Sequence, residues 1–286
     1  MPKSAFQSKQ CTLTDTFGCL HISHVRPNMF WVSDHRNNLI LFDANGNPQP
    51  DSYIKVYDDV QDLTGAHTVN KNNSLIYIDT DNNIMRFSNG NTYTVYQKNA
   101  NSVWRYRCVY SSLLSGNLLI GMSNKDSTCS KVTQYKIKSN CLGHLIQTIQ
   151  YDNAGTDLYV GPCYITENNN GDIAVSDLKN GVVVTNSEGR HRFTFNQDPS
   201  GIVISPKGIC TDPMSHILVC VRHEVMMLDK DGVFLSYILS MPLELMKIAN
   251  SLSFDFNTHC LWVGSVSDGR VHAFKYLKRP DALLDE

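Results

Sequence analysis

The fold is decided by the sequence GDIAVSDLKNGVVVTNSEG, residues Gly171–Gly189. Two short apolar runs, Ile173–Val175 and Val182–Val184, are rich in β-branched residues and are separated by turn-forming residues. Apolar runs this short, bounded by Gly, Asn and Asp, are typical of strands rather than of helices. The segment therefore predicts two strands joined by a turn, and weaker copies of it recur along the chain.

The copies can be aligned on one position of the first apolar run. The aligned residues are Trp31, Tyr77, Leu119, Ala174, Leu218 and Trp262, which are 46, 42, 55, 44 and 44 residues apart. The glycine of the following turn is a second landmark and occurs at Gly46, Gly90, Gly189 and Gly232. Both landmarks indicate six units of about 44 residues.

Six units of this length, each with several short strands, predict an all-β fold, a six-bladed β-propeller. Each blade is expected to be a four-stranded antiparallel sheet that buries its faces against two neighbours. A pair of β-sandwiches is the weaker alternative because it does not require six copies at one period. The sixth unit ends after three strands, and we expect an N-terminal strand, Thr12–Cys19, to complete it and close the ring.

These boundaries divide the chain into a polar lead at 1–9, a propeller at 10–278 and a polar tail at 279–286. The segment Pro242–Ala249 is short and follows a proline, so it predicts one helical turn in a connection.

The composition excludes several classes of protein. Of 286 residues 18% are charged, and the net charge of −2 gives no general attraction to nucleic acids or membranes. No apolar run is long enough to span a bilayer, and the first residues lack the apolar segment of a secretory signal. The nine cysteines form no C-x-x-C pair. We therefore expect a reduced, cytoplasmic protein without a zinc or redox site.

The pattern Gly171-x-Ile173-x-Val175-x-Asp177, followed by a second strand and Gly189, resembles the NHL repeat. This repeat builds the C-terminal propeller of tripartite-motif ubiquitin ligases. Related motifs are WVSD at Trp31–Asp34, LWVGS at Leu261–Ser265 and PKGICTDP at Pro206–Pro213. The resemblance implies a substrate-recognition propeller that binds protein. The sequence has no Cys/His array of a RING or B-box and no heptad segment, so a ligase role would need another chain or a longer gene product.

Few residues suggest catalysis or metal binding. Asp34 and Asp177 follow strands, where an Asp carboxylate accepts hydrogen bonds from turn amides. Asp79–Asn83 begins like a calcium loop but lacks the glycine and the bidentate glutamate that such a loop needs, and it predicts a hairpin turn. His21 and His24 are spaced to point to opposite faces of a strand. We therefore predict no catalytic residues, no bound metal and no cofactor.

Basic residues recur in the loops expected on one rim of the propeller, between second and third strands and between blades. The predicted binding residues are His35, Arg36, Lys125, Lys179, Arg222, His223 and Arg270. Acidic residues lie among them, and a solvated rim of mixed charge is the alternative interpretation.

Three functions are compatible with these observations. The first is a non-enzymatic, monomeric module that binds a protein or peptide through this rim. The second is an RNA-binding propeller, which the near-neutral charge disfavours although Trp104–Arg107 combines aromatic and basic residues. The third is a metal-dependent lactonase or esterase that uses the central channel. In such propellers a glutamate of the first blade is among the metal ligands, whereas the first glutamate here is Glu167.

Overall fold

The computed structural model describes residues 6–277, apart from 15, 17, 27, 37, 57–64, 139–140, 223, 241–248 and 268. Within these residues, 24 strands form six antiparallel sheets of four strands each, arranged as a six-bladed β-propeller. The predicted fold class is confirmed.

The strands of each blade are consecutive in the sequence, except in blade 6. β1 (Phe6–Thr12) comes first in the sequence. Blade 1 contains β2 (His21–Arg26), β3 (Met29–Ser33), β4 (Asn38–Asp43) and β5 (Pro48–Lys55). Blade 2 contains β6 (His67–Val69), β7 (Leu75–Ile78), β8 (Ile84–Ser88) and β9 (Asn91–Tyr96). Blade 3 contains β10 (Trp104–Ser111), β11 (Leu118–Asn124), β12 (Ser130–Lys138) and β13 (Cys141–Ile149).

The second half of the chain repeats this plan. Blade 4 contains β14 (Pro162–Glu167), β15 (Ile173–Asp177), β16 (Gly181–Thr185) and β17 (His191–Phe195). Blade 5 contains β18 (Pro206–Thr211), β19 (Ile217–Val221), β20 (Glu224–Leu228) and β21 (Phe234–Ser240). Blade 6 contains β22 (Ala249–Asp255), β23 (Cys260–Ser265) and β24 (Arg270–Lys275).

Blade 6 is completed by β1, which pairs antiparallel with β24 from Phe6 opposite Lys275 to Thr12 opposite Arg270. Closure by an N-terminal strand is thus confirmed, but the strand is not Thr12–Cys19. Its sequence, FQSKQCT, is largely polar. An outermost strand buries little of its surface, so this strand carries no apolar signal from which it could be predicted.

The segment that was expected to close the ring leads into blade 1 instead. The Leu13 N–H donates to Gly269 O, and the Cys19 N–H donates to Ser265 O. Both side chains are buried between blades 6 and 1. Residues 6–9 of the predicted polar lead belong to β1, while the tail at 279–286 lies outside the described residues. Of the predicted helical turn only Ala249 is described, and it begins β22.

Carboxylates that follow strands form turns, as the sequence predicts. Asp34 accepts hydrogen bonds from the amides of Arg36 and Asn38, both at 2.9 Å. Asp177 accepts from the amides of Val160 and Gly161, both at 2.8 Å, and so joins its turn to the preceding blade connection. The Asp79 carboxylate accepts from the Asn83 amide in the turn between β7 and β8, which confirms the hairpin.

Each pair of neighbouring blades shares a buried apolar cluster. Trp262 is only 4% exposed and lies between blades 6 and 1, with its ring centroid 5.1 Å from that of Phe30. Cys163, Cys210 and Cys220 are buried within such clusters, as expected for small apolar side chains. The core is therefore divided among the blade interfaces and depends on closure of the ring.

Trp262→Ala should lower the free energy of unfolding by about 3–5 kcal/mol, because it removes a large side chain from the interface that β1 closes. Urea denaturation followed by circular dichroism measures this loss. Val233→Ala, at an exposed turn of blade 5, is the matched control and should change stability little. Equal stability of the Trp262 variant and the control would contradict the alignment of the repeats.

Candidate functional site

The first strand of each blade is the innermost, and these six strands surround a central channel. They are β2, β6, β10, β14, β18 and β22. Backbone N–H groups on the inner edge of one blade donate hydrogen bonds to serine hydroxyls of the neighbouring blade. The Ile22 N–H donates to Ser251 Oγ (2.7 Å), and the His24 N–H donates to Ser253 Oγ (3.1 Å). These contacts hold the channel walls in register.

Because the strands alternate in direction, two kinds of turn lie on opposite faces of the disc. The first-turn face is the face that carries the turns between the first and second strands of the blades. These turns include 70–74, 112–117, 168–172, 212–216 and 256–259. The face with the turns between second and third strands and the connections between blades is the second-turn face. The inner strands start at the second-turn face and end at the first-turn face.

Side chains near the start of the inner strands close the channel. The Tyr164 hydroxyl of blade 4 crosses to blade 1 and donates to Leu20 O at 2.6 Å. The Asn250 amide of blade 6 donates to the same carbonyl at 2.7 Å and lies 3.1 Å from the Tyr164 hydroxyl. Three distant parts of the chain thus form a hydrogen-bonded floor on the second-turn side.

Two histidines extend this floor. The rings of His21 and His67 have centroids 4.2 Å apart, and His67 Nε2 lies 3.3 Å from His21 O. Burial lowers the pKa of both imidazoles, that of His67 to about 3, and for His21 the neighbouring His67 adds to the effect. Both rings are therefore neutral at pH 7. Their Nδ1 atoms are buried without a hydrogen-bond partner among the described residues, which marks this floor as an unusual polar site.

A cavity of ≈ 340 Å³ lies above the floor and is bordered by residues of the first-turn face. Residues from the first turns of four blades line its mouth: Asn70, Lys71, Asn73, Leu113, Leu114, Asn168, Asn169, Phe256 and Asn257. Leu114 and Phe256 are 60% and 43% exposed. A concave site of this size, lined by a mixture of apolar and polar side chains, is typical of small-molecule binding.

A histidine–carboxylate pair lies in the wall of this cavity. His24 lines the cavity, and its Nε2 is 3.3 Å from Asp255 Oδ2, whose side chain is 1% exposed. Burial by itself raises the pKa of Asp255, but the neighbouring His24 and hydrogen bonds from the Thr258 hydroxyl and the Asn257 amide outweigh it and lower the pKa below its ordinary value. Asp255 is therefore a carboxylate at neutral pH, and it lies at ion-pair distance from His24 Nε2, which has no aligned hydrogen-bond partner among the described residues. Such a pair is the usual arrangement of a general base.

A second carboxyl group faces the cavity from blade 4. Glu167 ends β14 and accepts a hydrogen bond from the Ser112 hydroxyl at 2.6 Å. Burial raises its pKa and outweighs the hydrogen bonds from Ser112 and from the Leu114 amide, which act in the opposite direction. Glu167 therefore retains its proton to higher pH than an ordinary glutamate, which suits a proton donor.

The floor does not suit a calcium ion. Its donors are two imidazoles, a phenol and a carboxamide, whereas calcium prefers several carboxylate and carbonyl oxygens. Throughout the described part of the chain, no group of three or more His, Cys, Asp or Glu side chains is placed to hold a metal ion. The donor set therefore disagrees with the metal-dependent chemistry that the third sequence-based hypothesis assumes.

The predicted rim residues lie away from this cavity, on the second-turn face. They are spread over five blades: His35 and Arg36, Lys125, Lys179, Arg222 and Arg270. His35 Nε2 lies 3.0 Å from Val266 O of blade 6, and Arg222 is 4.0 Å from Asp198. His223 lies outside the described residues. Partner binding by this rim stays a prediction.

No protein-family model and no curated protein sequence matches the chain. Solved structures do match it. A gluconolactonase from Xanthomonas campestris has 12% identity over 97% of this chain and 95% of its own, with a TM-score of 0.68. A virginiamycin B lyase from Staphylococcus aureus has 11% identity over 94% of this chain and 99% of its own, with a TM-score of 0.62. A luciferin-regenerating enzyme has 11% identity over 94% of this chain and 95% of its own, also with a TM-score of 0.62.

At this identity the likeness shows the shared fold, a six-bladed propeller. The prediction of a non-enzymatic, tripartite-motif-like module of the ubiquitin pathway is wrong, because these three propellers, each matched over nearly the whole chain, are named enzymes. The NHL resemblance is not confirmed. Its motif of a strand, an aspartate and a turn reflects what a propeller blade needs, as Asp34 and Asp177 show, and so carries no functional information.

Sequence analysis missed most of this site. His24 and Asp255 lie in the first and last blades, and Tyr164 meets Leu20 across the channel, so no local motif reveals either pair. One signal was available: aligned units place polar residues at or just after the end of the first strand, such as Ser112, Asn168 and Asp255.

As for membranes, no helix in the described residues is suited to crossing one. A cytoplasmic location stays a prediction.

Acid should destabilise the protein through the buried histidine pair. The folded pKa of His67 is about 3 and its ordinary value is 6.5, so between these values the unfolded chain binds a proton that the folded chain does not. The free energy of unfolding should then fall by up to about 1.4 kcal/mol per pH unit on acidification below pH 6.5. Urea denaturation across this range measures the slope.

His67→Gln should make this slope shallower, whereas the exposed His144→Gln should leave it unchanged. Parallel pH profiles for the wild type and the His67 variant would show that this ring does not resist protonation. The comparison uses slopes rather than absolute stabilities, so the packing lost with the His67 ring does not affect it.

Proposed function

We propose that this protein is a hydrolase that opens a small lactone, or cleaves a related ester, in the central channel. The observation that carries the proposal is the His24–Asp255 pair, held at 3.3 Å in the wall of a cavity that is closed at one end. The enzyme names among the matched propellers, including a gluconolactonase, support the same class of chemistry.

The proposed reaction needs only water and side chains of this chain. His24 removes a proton from a water molecule, and the Asp255 carboxylate stabilises the imidazolium that forms. The hydroxide adds to the carbonyl carbon, the bond from that carbon to the ring oxygen breaks, and the departing alkoxide receives a proton. Glu167, whose pKa is raised by burial, is the proposed donor. It is reprotonated when the proton on His24 returns through solvent.

The shape and charge of the cavity limit the substrate. The floor of Tyr164, His21 and His67 is neutral, and the volume of ≈ 340 Å³ suits a ligand of modest size. Leu113, Leu114 and Phe256 add apolar surface to a mouth that is otherwise lined by asparagines and Lys71. A neutral cyclic ester fits these walls better than a multiply charged metabolite.

His24→Gln should reduce kcat/KM for lactone hydrolysis by about 10²–10⁴-fold, because it removes the general base but keeps a side chain of similar size. Asp255→Asn should also reduce it, through loss of the charge that stabilises the imidazolium. A panel of unsubstituted and substituted lactones, followed with a pH indicator in weak buffer, provides the assay. His35→Gln, on the second-turn face, is the control and should keep full activity. Absence of hydrolysis above the buffer rate for every lactone and ester would reject the proposed function.

Chelation should leave the activity unchanged, since the floor lacks carboxylates for a divalent cation. Dialysis against EDTA, followed by the same assay with and without added Ca²⁺, Mg²⁺ or Mn²⁺, measures this. An activity that is lost on chelation and restored by one cation would overturn the assignment of His24 as a base acting without metal.

A further inference from the structure

A second cavity, of ≈ 500 Å³, lies between blades 1 and 2. Trp31 and Leu41 of blade 1 form one wall, and Leu75 and Phe87 of blade 2 form the other. The Trp31 and Phe87 rings meet edge to face with centroids 5.7 Å apart. We call this cavity the inter-blade cleft.

Among the described residues, the interface that contains the cleft has fewer fully buried apolar side chains than the interface between blades 6 and 1. Its buried apolar cluster has six residues in the described part of the chain, whereas the cluster between blades 6 and 1 has thirteen. Leu41 and Phe87 are only half-buried in it. The first two strands of blade 2, which border this interface, are short: β6 has three residues and β7 has four. Protein interiors are normally packed without such voids, so an opening of this size bordered by aromatic side chains suits a ligand group.

The cleft is adjacent to the central channel. Val25 and Asn73 line both cavities. Both openings border the first-turn face, since Asn72 and Asn73 belong to the first turn of blade 2. One molecule can therefore place a polar group in the channel and an apolar substituent in the cleft.

We propose that the inter-blade cleft binds an aryl substituent of the molecule whose carbonyl group enters the channel. The proposal rests on the proposed function and narrows it to lactones or esters with an aromatic group beyond the ring. The half-buried Phe87 ring presents an aromatic surface to the cleft, the half-buried Leu41 and the exposed Pro50 supply aliphatic contact, and the buried Trp31 supports the Phe87 ring from behind. The side-chain amides of Asn72, Asn73 and Asn89 border the cleft and provide its polar rim.

The test measures binding without turnover. δ-Valerolactam and its 6-phenyl derivative are amides that resist the hydrolysis expected for lactones, and they differ only in the aryl group. Isothermal titration calorimetry should show that the phenyl lactam binds at least tenfold tighter than the parent. Leu41→Trp fills the cleft and should abolish this difference, while the affinity for the parent lactam stays unchanged. Val233→Trp, which adds the same ring at an exposed turn of blade 5, is the control and should keep the preference.

Equal affinities of the two lactams for the wild type would overturn the proposal. So would a tenfold preference that survives in Leu41→Trp with an unchanged thermal unfolding transition. If Leu41→Trp does not fold, Pro50→Trp places the same ring from an exposed position of β5 that lines the cleft, and the same two outcomes apply. If the protein prefers the phenyl lactam in this way but hydrolyses no lactone or ester, the proposal for the cleft is supported and the proposed hydrolase function is rejected.

Discussion

The pairing of β1 with β24 is the contact on which the rest of the molecule depends. No blade can bury both of its faces alone, so each one needs two neighbours, and in a ring this condition is met only when the last blade is complete. β1 supplies the missing fourth strand of blade 6, and its pairing with β24 runs from Phe6 opposite Lys275 to Thr12 opposite Arg270. Trp262 and Phe30 then pack across the interface between the last and first blades.

The same closure builds the site. Inner strands would expose their edge amides to the channel, and hydroxyls such as Ser251 and Ser253 from the neighbouring blade accept these hydrogen bonds. This arrangement brings His24 of blade 1 beside Asp255 of blade 6, and it lets Tyr164 of blade 4 reach Leu20. Hydrogen bonds between buried polar groups stabilise the closed end of the channel, and the cavity opens to solvent at the other end.

The functional error made from sequence has a physical origin. The motif around Asp177 recurs because a side-chain oxygen at the end of the second strand accepts hydrogen bonds from turn amides, and blade architecture favours this contact whatever the protein does. In blade 3 the oxygen belongs to the Asn124 carboxamide instead of an aspartate. Basic residues in the turns between second and third strands could be predicted to be on the surface because these loops are polar in sequence. The cavity, in contrast, is lined by residues at the ends of apolar strands, and the sequence alone does not show that His24 or Glu167 faces a shared cavity.

The sequence by itself determined the number of blades, the order of their strands and the turns between them. Those features follow from local alternation of apolar runs and turn residues, which act over a few positions. Only the tertiary structure decided that Phe6–Thr12 closes the ring, that the channel has a floor of Tyr164, His21 and His67, and that a cleft opens between blades 1 and 2. These features join residues far apart in the chain, and their positions depend on how six sheets pack around one axis.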